Sequence, residues 1–228
     1  MSILHKLEAD IEQSINRLNN KNFKIDPIAG RKYSKVPSLI GSMQKRHGLI
    51  IEKAISAALS SYDHYTVWTD SGFKVSSSVN HIISTVNNVK KDPDWLHLLD
   101  HNHPYGEQSS TLQIDVIAFN KSDNSLTALE VKRGYSHHDA GKKKAILRRA
   151  LAVQMLLMGY GQSELGQIQI NEVRSRICSY YGANEFAPEI QITKDDLDNF
   201  FGVPILGLVQ EVNDYFRSRI HELMELEM

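Results

Sequence analysis

The chain has 228 residues, enough for one large domain or two small ones, and 41% of them are hydrophobic, which is enough to bury a sizeable core. A charged fraction of 23% argues against disorder. No apolar run approaches the roughly 18 residues of a membrane span, and the charged N-terminal segment predicts a cytoplasmic protein without a signal peptide. The single cysteine, Cys178, excludes an intramolecular disulfide and a cysteine zinc cage. With 26 Lys and Arg against 27 Asp and Glu, any binding of nucleic acid would need a local basic patch.

The first half of the chain shows two helical patterns, two short strand patterns and an irregular segment. In chain order they are a helix through Leu4 and Leu18, a loop over 19–36, a helix over Pro37–Ser61, strands over Tyr65–Thr69 and Phe73–Val75, and an irregular segment over Lys90–Ser110. The two strands are separated by the turn signal Asp70-Ser71-Gly72. The irregular segment is our candidate for a loop that reads the substrate.

The second half begins with a predicted antiparallel hairpin and ends with helices. In chain order we expect strands over Leu112–Phe119 and Leu126–Lys132, a helix over Gly141–Met158 that ends before Gly159, a strand over Val173–Tyr181, a capping box from Thr193 to Asp196, and a last helix through Ile205 and Leu223. This order predicts a single α/β (α+β-like) domain over 1–228 with a central mixed sheet flanked by helices. Within it, 1–36 would form an N-terminal helix and loop, 42–181 the core, and 193–228 the C-terminal helices.

The register of the hairpin brings charged residues together. If the loop over 120–125 closes it, residues whose numbers sum to 245 face each other, so Asp115 lies opposite Glu130. Their Cβ atoms would then be about 4.5–5.5 Å apart on one face of the sheet. Lys132, two residues after Glu130, lies on the same face.

Two adjacent carboxylates repel each other unless a cation lies between them. Mg²⁺ prefers oxygen ligands and needs only one or two carboxylates, which leaves room for the oxygens of a phosphate. The carbonyl of Val131 is a further candidate ligand. Lys132 could position a water molecule or offset the charge of a transition state.

These residues carry a resemblance to a known family. Ile114-Asp115, fourteen intervening residues and then Glu130-Val131-Lys132 resemble the PD-(D/E)xK nuclease superfamily, with Ile114 in place of the proline. The resemblance implies a restriction-endonuclease-like core and Mg²⁺-dependent hydrolysis of DNA by a restriction or defence enzyme, with Mn²⁺ able to replace Mg²⁺. It implies that Asp115 and Glu130 are metal ligands and that Lys132 acts at the water.

The same resemblance suggests two outlying residues. Glu52 on the second helix matches the position of an additional metal ligand, or is a surface glutamate. Gln154 matches a glutamine that contacts the site or the substrate, or is a hydrogen-bonded core residue. A basic set just beyond the proposed metal site is suited to binding phosphates of DNA; its members are Arg133, Lys142, Lys143, Lys144, Arg148 and Arg149.

Three alternatives stay open. The protein could retain the nuclease fold and bind DNA or a partner without catalysis. His101 and His103 could instead belong to a zinc metallohydrolase, although the spacing to the following Ser and Asp does not fit that pattern. The amphipathic end helices could pack on the sheet or form a homodimer.

Overall fold

The computed structural model describes residues 3–20, 22, 24–25, 27–28, 30–87, 94–134, 138–166, 168–182 and 185–225. Contacts between residues group the chain into two compact units. One unit contains Met1–Ala58 together with Pro204–Met228, and the other contains Leu59–Val203. The single domain expected over 1–228 stays a prediction.

The first unit is helical. It contains α1 (Ile3–Asn19), α2 (Gly30–Leu59, whose last residue begins the other unit) and α6 (Leu206–Glu225). Glu12 on α1 accepts hydrogen bonds from Tyr215 at 2.8 Å and from Arg219 at 2.7 and 3.0 Å, so α1 and α6 are tied together by charge as well as by apolar packing. The two predicted end helices are therefore confirmed as helices, and they pack on each other in this unit; packing on the sheet and formation of a homodimer stay predictions.

Helix α2 begins seven residues before the predicted start at Pro37. Proline removes one backbone donor, which disfavours a helix interior without forbidding it. The turn before Pro37 is also helical, and the Ser34 hydroxyl donates to the Gly30 carbonyl at 2.5 Å. The loop predicted over 19–36 is therefore wrong from Gly30 onward.

The second unit is built on a five-stranded sheet in the order β1-β2-β3-β4-β5. Its strands are β1 (Tyr65–Val75), β2 (Ser110–Asn120), β3 (Ser125–Lys132), β4 (Glu172–Ser179) and β5 (Gln191–Thr193). The first three strands pair antiparallel, whereas β3, β4 and β5 pair parallel. The mixed α/β sheet with flanking helices is therefore confirmed.

Helices and short turns complete this unit. They are α3 (Ser77–Ser84), a 3-10 helix (Leu96–Asp100), α4 (Ala140–Leu165), a 3-10 helix (Lys194–Asp196) within the confirmed capping box, and α5 (Leu197–Phe201). Helix α4 packs on β3 and β4. The buried side chains of this core include Ile117, Phe119, Leu126, Leu147, Leu151 and Leu157. No described helix is long and apolar enough to cross a membrane.

Strand β1 is continuous where the sequence predicts two strands and a turn. Its pairing with β2 shifts register between Trp68 and Asp70 and again between Asp70 and Phe73. The Gly72 N–H donates to the Asp70 carboxylate at 2.6 Å. A hydrogen bond of this kind, from a backbone N–H to an Asp side chain two residues earlier, typically forms a turn. In this protein it lies at an irregularity within one strand.

The irregular segment predicted over Lys90–Ser110 is described only from residue 94. After the 3-10 helix the chain runs without regular structure to β2, as expected. Residues 90–93 lie outside the described residues.

Helix α4 continues to Leu165 through the glycines that were predicted to end it. A Cβ atom at Gly159 would lie 2.9 Å from the Tyr105 backbone nitrogen, and one at Gly161 would collide with Leu126 and Ile170. Both glycines allow neighbouring parts of the chain to pack closely against α4, and neither ends the helix.

We expect Gly161→Ala to lower the free energy of unfolding by about 1–3 kcal/mol, because an added methyl group must displace Leu126 and Ile170. Urea unfolding followed by far-UV circular dichroism measures this change. The matched control is Gly48→Ala in α2, where a Cβ meets nothing within 4 Å. The control should stabilise by up to about 1 kcal/mol, because alanine is the better helix former. Equal effects at both positions would contradict this account of α4.

Candidate active site

The β2–β3 hairpin has the predicted register. Phe119 pairs with Leu126, and the ladder runs from Asn120–Ser125 to Val116–Leu129. Asp115 and Glu130 come next, where the paired ladder stops. There the Val131 N–H donates to Asp115 Oδ2 at 2.8 Å. On the β2 side of β3, the Val131 backbone N–H is therefore bonded to the Asp115 side chain instead of to the backbone of β2.

Strand β3 stays fixed on its other edge. Its parallel ladder with β4 continues through Glu130, Val131 and Lys132. The Lys132 carbonyl then accepts a hydrogen bond from Tyr180 N–H at 2.9 Å. The acidic end of β3 is therefore held by β4 where its pairing with β2 ends.

Lys132 joins the two carboxylates, so the structure brings the three predicted residues together. Its ammonium lies 2.6 Å from Glu130 Oε1 and 3.7 Å from Asp115 Oδ2. It also donates to the Val131 carbonyl at 3.2 Å. This is the same carbonyl that the sequence suggests as a further metal ligand.

The Asp115 side chain is buried, and the Glu130 side chain is 11% exposed. Asp115 is only 9% exposed, and burial, followed by the nearby charge of Glu130, raises the pKa of Asp115 against the opposing effects of Lys132, the Val131 N–H and Arg149. Glu130 Oε1 is buried and has no hydrogen-bond partner among the described residues, although the Lys132 ammonium lies 2.6 Å away as an ion-pair partner.

This donor set fits a hard divalent cation. The buried Asp115 carboxylate and the largely buried Glu130 carboxylate lie next to a backbone carbonyl, and one Glu130 oxygen has no hydrogen-bond partner among the described residues. Mg²⁺ binds such oxygens and does not need a larger protein cage. No group of three or more His, Cys, Asp or Glu side chains suited to a metal occurs in the described part of the chain, so Asp115, Glu130 and the Val131 carbonyl would have to suffice there.

Arg149 on α4 also reaches this site. One of its terminal nitrogens donates to the Gln113 carbonyl at 3.1 Å and lies 3.6 Å from Glu130 Oε2. The sequence predicts a DNA contact for this residue and gives no sign of its proximity to Glu130, because nineteen positions and a change of element separate them.

Comparison with known protein families identifies one that the chain matches. A family model described as "Type II restriction endonuclease, HinfI" matches residues 1–169. The chain belongs to this family. The resemblance to restriction endonucleases noted in the sequence is confirmed, and the protein is a nuclease of restriction type. No curated protein and no solved structure matches the chain.

The HinfI match contains every residue of the candidate site. It extends from α1 to just past the end of α4, and so includes the hairpin, Lys132 and Arg149. Strands β4 and β5, which complete the sheet, follow the matched residues.

Both polar atoms of the Gln154 side-chain amide form hydrogen bonds with backbone groups. Its nitrogen donates to the carbonyls of Leu99 at 3.0 Å and Val173 at 3.2 Å, and its oxygen accepts from Ser175 N–H at 2.6 Å. On this edge of β4, β5 covers only Ile177–Ser179. The amide of Gln154 therefore replaces a neighbouring strand, which favours the core alternative over contact with substrate.

Other members of the predicted DNA-binding set make contacts within the chain. Lys143 lies 3.1 Å from the Glu185 carboxylate, Lys144 donates to Asn87 at 3.2 Å, Arg148 donates to the Val86 carbonyl at 3.1 and 2.9 Å, Arg133 lies over the Tyr181 ring, and Lys142 is exposed. Binding of DNA by these residues stays a prediction.

Two further predictions concern residues outside the hairpin and α4. Glu52 is half-buried on α2 in the helical unit, and its role as a metal ligand stays a prediction. The zinc alternative gains no support, because the His101 ring contacts the His97 carbonyl at 2.9 Å and the described residues contain no group of three or more His, Cys, Asp or Glu side chains suited to a metal.

Glu185 is a buried carboxylate that the sequence does not single out. It accepts from the His138 N–H at 2.6 Å, contacts the His138 ring at 2.5 Å and pairs with Lys143 at 3.1 Å. It thereby fastens the start of α4 to the segment after β4. Forty-seven positions separate Glu185 from His138, so no local pattern could reveal the contact.

We expect Glu185→Gln to reduce stability in a pH-dependent way. Burial would raise the pKa of Glu185, but the bonds from His138 and Lys143 outweigh burial and lower that pKa below its ordinary value of 4.5. The charged form therefore stabilises the fold above pH 4.5, and this contribution is lost as pH falls through the lowered pKa.

Urea unfolding at pH 7 should show a loss of about 1–3 kcal/mol in Glu185→Gln, and the loss should shrink at pH 4 and below. The matched control is Glu189→Gln, which changes an exposed carboxylate in the same segment. A loss in Glu185→Gln that did not change with pH would contradict the assigned ionic role.

Proposed function

We propose that the protein is a Mg²⁺-dependent endonuclease that hydrolyses phosphodiester bonds of DNA in a restriction or defence system. The observation that carries the proposal is the convergence of Asp115, Glu130 and Lys132 at the end of one hairpin, inside the region that matches a restriction-endonuclease family. Charged side chains at the end of two apolar strands need a compensating reason, and a metal-assisted site supplies one.

In this proposal Asp115, Glu130 and the carbonyl of Val131 hold the cation. Bound there, Mg²⁺ would supply positive charge that offsets the two carboxylates and the negative charge that develops on the oxygens of the phosphate. Asp115 keeps its bond to the Val131 N–H through one oxygen, which orients the carboxylate. Mn²⁺ prefers similar oxygen ligands and should replace Mg²⁺.

Lys132 would act on the substrate side. Its ammonium now balances Glu130 and Asp115. From this place beside both acids, the ammonium would position the attacking water or offset negative charge on the oxygens of the phosphate. Because β4 fixes the backbone of Lys132, the side chain moves about a rigid base.

The basic residues near the site, of which Lys142 is exposed and the others are half-buried, would hold the rest of the DNA. Lys142 and its neighbours on α4, with Arg133 after β3, lie close in sequence to the site and can contact backbone phosphates without reading the bases. A homodimer would provide two such sites for the two strands of a duplex, and we include it in the proposal.

The first test is cleavage of supercoiled plasmid with Mg²⁺, with EDTA, and with Asp115→Ala or Glu130→Ala. Each substitution should lower the rate at least about a thousandfold, because a metal contributes several kcal/mol to the transition state. Mg²⁺ should also raise the melting temperature of the wild-type protein and not that of Glu130→Ala. Asp123→Ala, in the exposed turn of the hairpin, is the matched control. Discrete fragments would indicate sequence selectivity, whereas activity of the wild-type level in Glu130→Ala would refute the site.

Lys132→Ala separates binding from turnover. We expect cleavage to fall roughly a hundred- to thousandfold, because one positioned charge is lost, while binding of DNA persists. Fluorescence anisotropy of labelled duplex in Ca²⁺ measures the binding. Cleavage that survives the substitution would remove Lys132 from the mechanism. A wild-type protein that binds DNA and cuts none in any divalent cation would instead support the non-catalytic alternative.

A further inference from the structure

The Glu130 carboxylate lies between two cations. Lys132 approaches Oε1 at 2.6 Å, whereas Arg149 approaches Oε2 at 3.6 Å from α4. The Arg149 contact bridges the point where the β2–β3 ladder has ended, because the same guanidinium also donates to the Gln113 carbonyl of β2. Arg149 therefore belongs to the site itself and does not simply extend a basic surface.

The charges of the four residues balance. Asp115 and Glu130 are opposed by Lys132 and Arg149, and a divalent cation that binds the two acids adds two positive charges to a neutral group. Repulsion then favours the departure of at least one of the resident cations. The two cations that contact Glu130, and so compete with the metal, are Lys132 and Arg149.

Arg149 is the less firmly held cation. Its side chain is 40% exposed, against 25% for Lys132, and its distance to Glu130 is longer by a full ångström. Its buried Nε has no hydrogen-bond partner among the described residues. A small cavity of about 10 Å³, which Glu130 and Arg149 help to line, adjoins the pair. Lys132 is held by the Val131 carbonyl as well as by both acids.

We propose that Arg149 is an internal counter-ion that a divalent cation displaces from Glu130, and that the released guanidinium then binds the phosphate of the substrate. This role rests on the proposed nuclease function and deepens it. A guanidinium suits the second step because its planar fork donates two parallel hydrogen bonds to a phosphate. Binding of the cation would thus prepare the phosphate contact at the same site.

Arg149→Gln should strengthen metal binding and weaken cleavage. In Arg149→Gln the cation meets no competing charge, so Mn²⁺ should bind the free protein roughly three- to tenfold more tightly. Cleavage of plasmid at saturating Mg²⁺ should nevertheless fall at least about tenfold in kcat, because the phosphate loses its guanidinium partner. A residue that merely held Glu130 in place would weaken both metal binding and cleavage.

Isothermal titration of Mn²⁺ without DNA, and plasmid cleavage with Mg²⁺, measure the two effects on folded protein checked by thermal melting. Arg149→Lys keeps the charge and should bind Mn²⁺ as the wild type does, with part of the cleavage restored. Lys121→Gln removes a charge from the far end of the hairpin, where Lys121 donates to the Asp63 carbonyl, and should change neither value.

Weaker or unchanged binding of Mn²⁺ by Arg149→Gln, or unchanged cleavage, would overturn the role of Arg149 while leaving the nuclease assignment intact. A wild-type protein that binds no Mn²⁺ would overturn the metal site and this inference with it. The two failures are thereby distinguished.

Discussion

The hydrogen bond from Val131 N–H to the Asp115 carboxylate is the contact on which the site depends. In a continuous hairpin this donor would face a backbone carbonyl of the neighbouring strand. Because a side chain accepts it instead, the ladder ends and the donor is still satisfied. The acidic end of β3 is thus released from β2 with the Val131 donor satisfied, while its pairing with β4 continues through Lys132.

The resulting geometry is unfavourable for the fold by itself. Two largely buried carboxylates lie side by side, the pKa of Asp115 is raised, and one oxygen of Glu130 finds no hydrogen-bond partner in the part of the chain that the structure describes. Lys132 and Arg149 offset the charge from opposite sides. Functional sites commonly contain such unfavourable arrangements of charge. A ligand that relieves the unfavourable interaction binds more strongly than a ligand whose pocket is already fully paired.

The sequence predicts this hairpin well because the information is local. A short polar segment between two apolar runs sets the register, and in the structure it closes as a four-residue turn over 121–124. The period of two then places Lys132 beside Glu130. The length of α4 was not predictable in this way. Gly159 and Gly161 resemble a helix end, and only Tyr105, Leu126 and Ile170, distant in sequence, show that they permit close packing. The contact of Arg149 with Glu130 escaped prediction for the same reason.

Helix α4 links these distant contacts into one frame. Gln154 replaces a missing strand beside Val173 and Ser175, and Gly161 lets the helix approach Leu126 on β3. Together they fix the position of the helix along the sheet, and that position carries Arg149 to the open end of the hairpin. A polar side chain in the core and a glycine in a helix interior are both unfavourable when considered locally. Both become intelligible once α4 is seen to hold one guanidinium at a fixed place beside two carboxylates.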